Sequence, residues 1–202
     1  MKTQLLIILT CILSSTGFGQ VNVPLYSTEV FSDDIYTIDT SSWTLNTTET
    51  LTSTTGSVDG INGAAVQPCS GAIYVNYKVG ATRYLGILDT VSNLITEVGA
   101  FGDNVASITF GADYDELYAV TGDGAAISET LFSVDITTGA MTNILTLGAG
   151  TDGEAISYSP LTGMIYHWSG WGYANCIMEE INPGTLTITN IPLTGFAFDN
   201  AA

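Results

Sequence analysis

The chain has 202 residues, of which 46% are hydrophobic, and it sets 20 acidic side chains against three basic ones. This balance excludes nucleic acid as a partner, because that affinity depends on cationic side chains neutralising phosphates, and it opposes contact with anionic lipid headgroups for the same reason. The length suits one domain.

In chain order, the first segment is MKTQLLIILTCILSSTGFGQ, with Lys2 ahead of an apolar run from Leu5 to Leu13 and small residues behind it. That is the layout of a secretory signal peptide, and the run is too short to span a bilayer. Gly17 and Gly19 place small side chains where signal peptidase probes, so cleavage is expected before Gln20, with residues 1–19 as signal and 20–202 as the mature domain. A lipoprotein reading through Cys11 is the alternative, with very little apolar chain ahead of the cysteine. The expected location is extracellular or at the cell surface. All acidic residues lie beyond Gln20, where only Lys78 and Arg83 balance them; such a surface suits salt-rich or polysaccharide-rich surroundings, or serves solubility alone. Cys69 and Cys176 survive processing without metal-type spacing, and the reading favours two isolated, mostly buried thiols over a bridge.

From Leu25 onward the chain repeats. An apolar-Tyr pair recurs at Tyr26, Tyr74, Tyr118 and Tyr166, at spacings of 44 to 48 residues. Each is followed by an apolar run closing on Asp39, Asp89, Asp135 or Asn182. "AAVQPCSG", "ITFGADYD" and "ISYSPLTG" precede the later pairs, and "FAFDN" is left at the end. Each cycle holds four candidate strands: one with the Tyr, one running into the Asp, one after the hinge, and one ending at a Pro or Asp turn. In "TLTITN", Leu186 and Ile188 alternate with threonines, the period of a half-exposed strand. The units are placed at about 20–71, 72–115, 116–163 and 164–202.

"LFSVDITTGAMT" reads as the hairpin at the hinge. Asp135 caps backbone amides of the turn, and Gly139 takes the positive φ that closes it. Asn93 tolerates that conformation at the matching place. Trp43 is expected to need a different loop, and "INPGTL" a shorter Pro183-Gly184 turn. The acids of these turns are read as structural. No window shows capped helical periodicity. Four-stranded units of 40 to 50 residues in succession predict an all-β chain, a β-propeller of four-stranded antiparallel blades, with a β-sandwich as the competing architecture.

"LFSVDITTGAMT" and "SPLTGMIYHW" resemble phrases of secreted bacterial β-propellers in the neighbourhood of YncE-like and quinoprotein-like repeats. The similarity covers Leu25 to Asn200 and specifies architecture rather than activity. It implies a ring of six to eight blades, whereas four are present, so the chain is expected to be part of a larger propeller.

For chemistry, His167 is the only histidine. There is no Gly-x-Ser-x-Gly elbow, His-Glu-x-x-His pair or phosphate-binding Gly-rich loop. His167, Trp168, Trp171 and Tyr173 in "HWSGWGY" form a candidate ligand-binding stretch, flat aromatic surface suited to a sugar ring, against the reading of these rings as packing between blades. Asp152 and Glu154 in "TDGEA" are the metal candidates, with calcium the ion that clustered carboxylates take; solvated turn charge is the competing reading for them and for Asp113, Asp115 and Glu116. The expected function is a secreted, non-catalytic module for binding or adhesion to carbohydrate or protein at a cell surface. The alternative is a propeller lactonase or glycosidase using channel-mouth carboxylates, with or without calcium.

Overall fold

The computed structural model describes residues 25–122, 124–148, 150, 154–170 and 176–193. The signal segment lies outside this range, as do Asp152, Trp171 and Tyr173. The described residues contain strands and turns and no helix, and so no helix long and apolar enough to cross a membrane. The described residues divide into two compact units, 25–27 with 36–47, and 28–35 with those from 48 onward.

Strands β1 (Leu25–Thr28), β2 (Asp34–Asp39) and β3 (Thr44–Thr50) form a three-stranded sheet. The second sheet runs β5 (Gly60–Val66), β6 (Ile73–Val79), β7 (Thr82–Asp89), β8 (Leu94–Ala100), each strand antiparallel to the last. The short β4 (Thr52–Ser53) adds to β8 in parallel. The third sheet is β9 (Val105–Phe110), β10 (Leu117–Thr121), β11 (Thr130–Val134) and β12 (Met141–Thr146). The fourth is β13 (Glu154–Ser159), β14 (Met164–Ser169), β15 (Ile177–Asn182) and β16 (Thr187–Asn190).

In the last three sheets the strand ending at the Pro or Asp turn comes first, not last. Hydrogen bonding thus groups the strands one step out of phase with the Tyr-first repeat. These leading strands also join neighbouring sheets, since β9 contacts both β5 and β13. Two side-chain hydroxyls on β9 stitch it to β13: Ser107 Oγ accepts the Ile156 amide at 3.3 Å, and Thr109 Oγ1 accepts that of Tyr158 at 3.0 Å.

Strand β10, LYAVT, is buried at every position because it is covered on both faces. Leu117 and Ala119 point into a cluster with Ala65, Tyr74, Leu85 and Phe110 from the second and third sheets. Tyr118 and Val120 point the other way, among Leu131, Ile156, Ile165 and Ile181. Burial on both sides explains why such strands lack a polar alternation. The last strands, β12 and β16, keep one wet face and are rich in threonine and asparagine.

The four hinges share one geometry. The Trp43 amide donates to the Asp39 carbonyl at 2.7 Å, Gly139 to Asp135 at 2.8 Å, and Leu186 to Asn182 at 2.8 Å. Trp43, Asn93, Gly139 and Leu186 all have φ between 55 and 74°. The expectation of different loops at Trp43 and Pro183-Gly184 is therefore corrected. The side-chain cap explains the uniformity: Asp39 Oδ1 accepts the Ser41 amide at 2.7 Å, Asp89 Oδ1 that of Val91 at 2.9 Å, and Asp135 Oδ1 that of Thr137 at 2.8 Å. Asn182 Oδ1 accepts those of Gly184 and Thr185 at 2.9 and 3.1 Å. Once two amides are fixed on one oxygen the turn is closed, and the fifth residue is driven left-handed whatever its side chain.

Cys69 and Cys176 are free thiols. Cys69 is exposed at a positive φ in the turn after β5, a correction to its expected burial, because Gly71, Gln67 and Ser70 build that turn outside the core.

Candidate functional site: a buried histidine among carboxylates

His167 sits in the middle of β14, directly opposite Glu179 of β15 and Ile156 of β13. Its alternating neighbours Ile165 and Ser169 share its face, which is turned toward the third sheet through Ile156, Ile165 and Ile181. One end of this face is hydrocarbon and the other is ionisable. His167 is wholly buried. Its Nε2 lies 2.6 Å from Glu154 Oε2, and its Nδ1 lies 2.9 Å from Glu179 Oε2.

Both carboxylates are buried and held from behind. Ser169 Oγ donates to Glu154 Oε1 at 2.8 Å and receives the Gly150 amide at 2.8 Å. The Gly148 amide donates to both oxygens of Glu179 at 3.1 Å. A third carboxylate, Glu129, enters from the turn before β11 with φ 48° and is itself buried. Ligating atoms of Glu129, Glu154 and His167 all lie within 4.8 Å of one another.

Burial disfavours the charged imidazole, but the hydrogen bonds and charges of Glu154 and Glu179 outweigh it and raise the His167 pKa above its ordinary value. Proton counting leads the same way. A neutral imidazole has one N–H, so two ring contacts with carboxylate oxygens need one further proton or another positive centre.

The matching positions of the earlier sheets are different. His167 follows Tyr166 as Ala119 follows Tyr118 and Val75 follows Tyr74. Across the strand pair, Glu179 stands where Phe132 and Gly86 stand. Glu154 stands where Val105 and Ile61 stand, both buried. Three registers that are non-ionisable in the second and third sheets are ionisable in the fourth. Burying charge in a packed interface costs free energy unless every group is paired, so the fourth sheet is chemically set apart.

Of the sequence-predicted residues, His167 and Glu154 meet, while Trp168 is half-buried on the opposite face of β14, pairing across to Ala155 and Met178. Trp171, Tyr173 and Asp152 lie outside the described residues. Sequence reading missed Glu179 and Glu129. The signal for Glu179 was present, as a charge at a core register of the repeat; Glu129 sits in an irregular turn with no register to betray it.

A second feature is an open groove of about 570 Å³ at the C-terminal ends of β5, β9 and β13. Ala64, Val66 and Pro68, then Ile108 to Ala112, then Ile156 to Tyr158 with Pro160 line it, without a carboxylate or imidazole. The turn beyond Ala112 exposes Tyr114 between Asp113 and Asp115, and Gln67 Nε2 bonds the Tyr114 carbonyl at 2.7 Å, tying successive turns together.

Comparison with solved structures places this arrangement. A chain of the nidogen/laminin complex superposes with a TM-score of 0.58 at 10% identity, covering 82% of this chain and 60% of that one. Hydrazine synthase of Kuenenia stuttgartiensis gives 0.53 at 13% identity, covering 79% and 43%. The fold is a β-propeller of four-stranded blades. The propeller chain thus spans about half the length of these structures. A 6-phosphogluconolactonase-type chain of Bacteroides uniformis gives 0.48 at 14% identity over 85% and 54%, too loose to bear on function. No protein-family model and no curated protein matches the propeller sequence.

Proposed function

We propose that this propeller is an exported, non-catalytic module that binds a protein ligand at a cell surface through the groove across β5, β9 and β13. The observation that carries the reading is the composition of that groove. Its walls mix apolar side chains, the hydroxyls of Thr109, Ser157 and Tyr158, and backbone from three consecutive sheets, with no acid or imidazole among the described lining to act on a bound bond. Grooves of this kind hold ligands by shape and apolar contact, with a few hydroxyls and backbone groups fixing orientation. The lone histidine is enclosed between carboxylates and turned away from solvent. Exposed Asp113 and Asp115 beside Tyr114 favour a ligand segment that pairs basic with apolar side chains. Carbohydrate is the second reading, supported by the aromatic stretch at Trp168, Trp171 and Tyr173. An enzyme of the lactonase or glycosidase type is the third; gathered carboxylates favour it, but they lie between sheets and not along the groove. Fold likeness alone assigns none of these.

Ala64 and Ala112 are exposed and line the groove, so Ala64→Trp and Ala112→Trp fill it without disturbing the core. Labelled wild-type protein is expected to bind intact cells saturably, and both variants to lose at least tenfold in affinity while melting as the wild type does. Protease treatment of the cells should abolish binding. Loss on glycosidase treatment instead would move the assignment to carbohydrate. Equal binding by both variants, or hydrolysis of lactones or glycosides by the wild type, would overturn it.

A further inference from the structure

The His167 cluster carries an inference independent of the groove. Glu179 Oε2 lies 2.9 Å from Nδ1 and is held in place by the Gly148 amide, a carboxylate that can take only an N–H from the ring. With the proton fixed on Nδ1, the lone pair of Nε2 points at Glu154 Oε2, itself an acceptor, 2.6 Å away. Two lone pairs facing each other in a buried site require an electrophile between them. Ser169 binds the other oxygen of Glu154, leaving Oε2 for that centre, and Glu129 brings a third donor within 4.8 Å. Histidines that ligate metal almost always give their second N–H to a carboxylate, a backbone carbonyl or water, and Glu179 fills that place here.

We propose that Nε2 of His167 and the carboxylates of Glu154 and Glu129 bind one first-row divalent transition-metal cation, represented by Zn2+, with Glu179 as the carboxylate that orients the ring.

Charge points the same way. The cluster places three carboxylates around one imidazole, and the two basic side chains of the described residues are elsewhere: Arg83 bonds Asn62 and Asn104, and Lys78 lies on β6. A divalent ion offsets that excess where a single proton leaves most of it. The donor set chooses the ion. One nitrogen and two carboxylates suit zinc, with Zn–N and Zn–O distances of about 2.0–2.2 Å; calcium wants about six to eight oxygens, and so it is disfavoured here. Seating the ion requires Nε2 and Oε2 to separate to about 3 Å, a rotation of the Glu154 side chain. Glu179 and Gly148 also line an open groove of about 450 Å³, which brings solvent close to the carboxylate that orients the ring.

The test uses the full chain, stripped with a chelator and titrated with Zn2+ in excess Ca2+ and Mg2+ to silence the acidic surface. One equivalent is expected to bind with a rise in melting temperature, and Co2+ in its place should show the visible absorption of a nitrogen-containing site. Glu129→Gln and His167→Gln should each abolish the stoichiometric step. Glu179→Gln should keep it with affinity weaker by about 10–100-fold. Absence of stoichiometric uptake by the wild type overturns the proposal regardless of how the variants fold. Uptake unchanged in Glu129→Gln and His167→Gln, or matched by Ca2+ alone, overturns it too, by marking the binding as adventitious.

Discussion

Gly139 lies so close to the carbonyl of Gly99 that a Cβ built on it would stand 2.8 Å from that oxygen. The hinge of the third sheet is thus constrained twice, by its φ of 74° and by the strand of the neighbouring sheet. Trp43 and Leu186 occupy the same place in other hinges with the same handedness, and there a side chain bears the left-handed penalty of about 1–2 kcal/mol. Trp43→Gly is therefore expected to stabilise the protein by about 0.5–1 kcal/mol, since Trp43 is largely exposed and gives up little packing. Gly139→Ala should destabilise it by more than that. Urea unfolding of the two variants checks the opposite signs.

The hinge acids supply a pH dependence. Side-chain hydrogen bonds from Ser41, Ser92 and Thr137, with the amides beside them, hold the carboxyls of Asp39, Asp89 and Asp135 below their ordinary pKa. A depressed folded-state pKa contributes stability that is present above the unfolded value of 3.8 and is lost as pH falls through the folded value. Stability should fall below about pH 4, and the fall should be shallower in Asp135→Asn, as measured by urea midpoints between pH 6 and pH 2.5.

Removal of His167 alone should be costly. In chelated protein, His167→Ala leaves Glu154 and Glu179 buried without their shared partner, at about 3–5 kcal/mol. Copying the third sheet, as Glu154→Val, His167→Ala and Glu179→Phe together with Glu129→Gln, should recover most of the loss. If the combined variant is no more stable than His167→Ala, the cluster is not the source of the cost.

The hydroxyl stitch between β9 and β13 is testable at one atom. Thr109→Val conserves shape but removes the partner of the part-buried Tyr158 amide, at about 1 kcal/mol, whereas Thr109→Ser should be close to neutral. Hydrogen exchange at the Tyr158 amide should quicken in the valine variant only.

Much of the fold was legible because a propeller blade repeats its local chemistry. Asp135 and Gly139 announce a capped hinge, and the Tyr118 register predicts its relatives at Tyr74 and Tyr166. The grouping of strands was not, since a sequence period is unchanged when its starting point moves by one strand, and only hydrogen bonds show that β9 leads its sheet. Trp43 was misread because side-chain preference suggested a different loop, whereas the two amides held by Asp39 decide the backbone. His167 and Glu154 were legible as unusual residues, but their meeting was not, because it depends on which of two faces each strand turns inward. Comparing matching registers would have exposed Glu179, which stands where Phe132 and Gly86 do.

Near-identical modules in one chain invite exchange errors during folding, because each sheet offers its neighbours almost the same surface. Here the contact between the third and fourth sheets carries, beside its hydrocarbon, the buried carboxylate of Glu129 set against His167 and Glu154. A nascent chain that set the fourth sheet against the second instead of the third would leave His167 and Glu154 without Glu129, so that one acid acts as an address for the sheet that follows it.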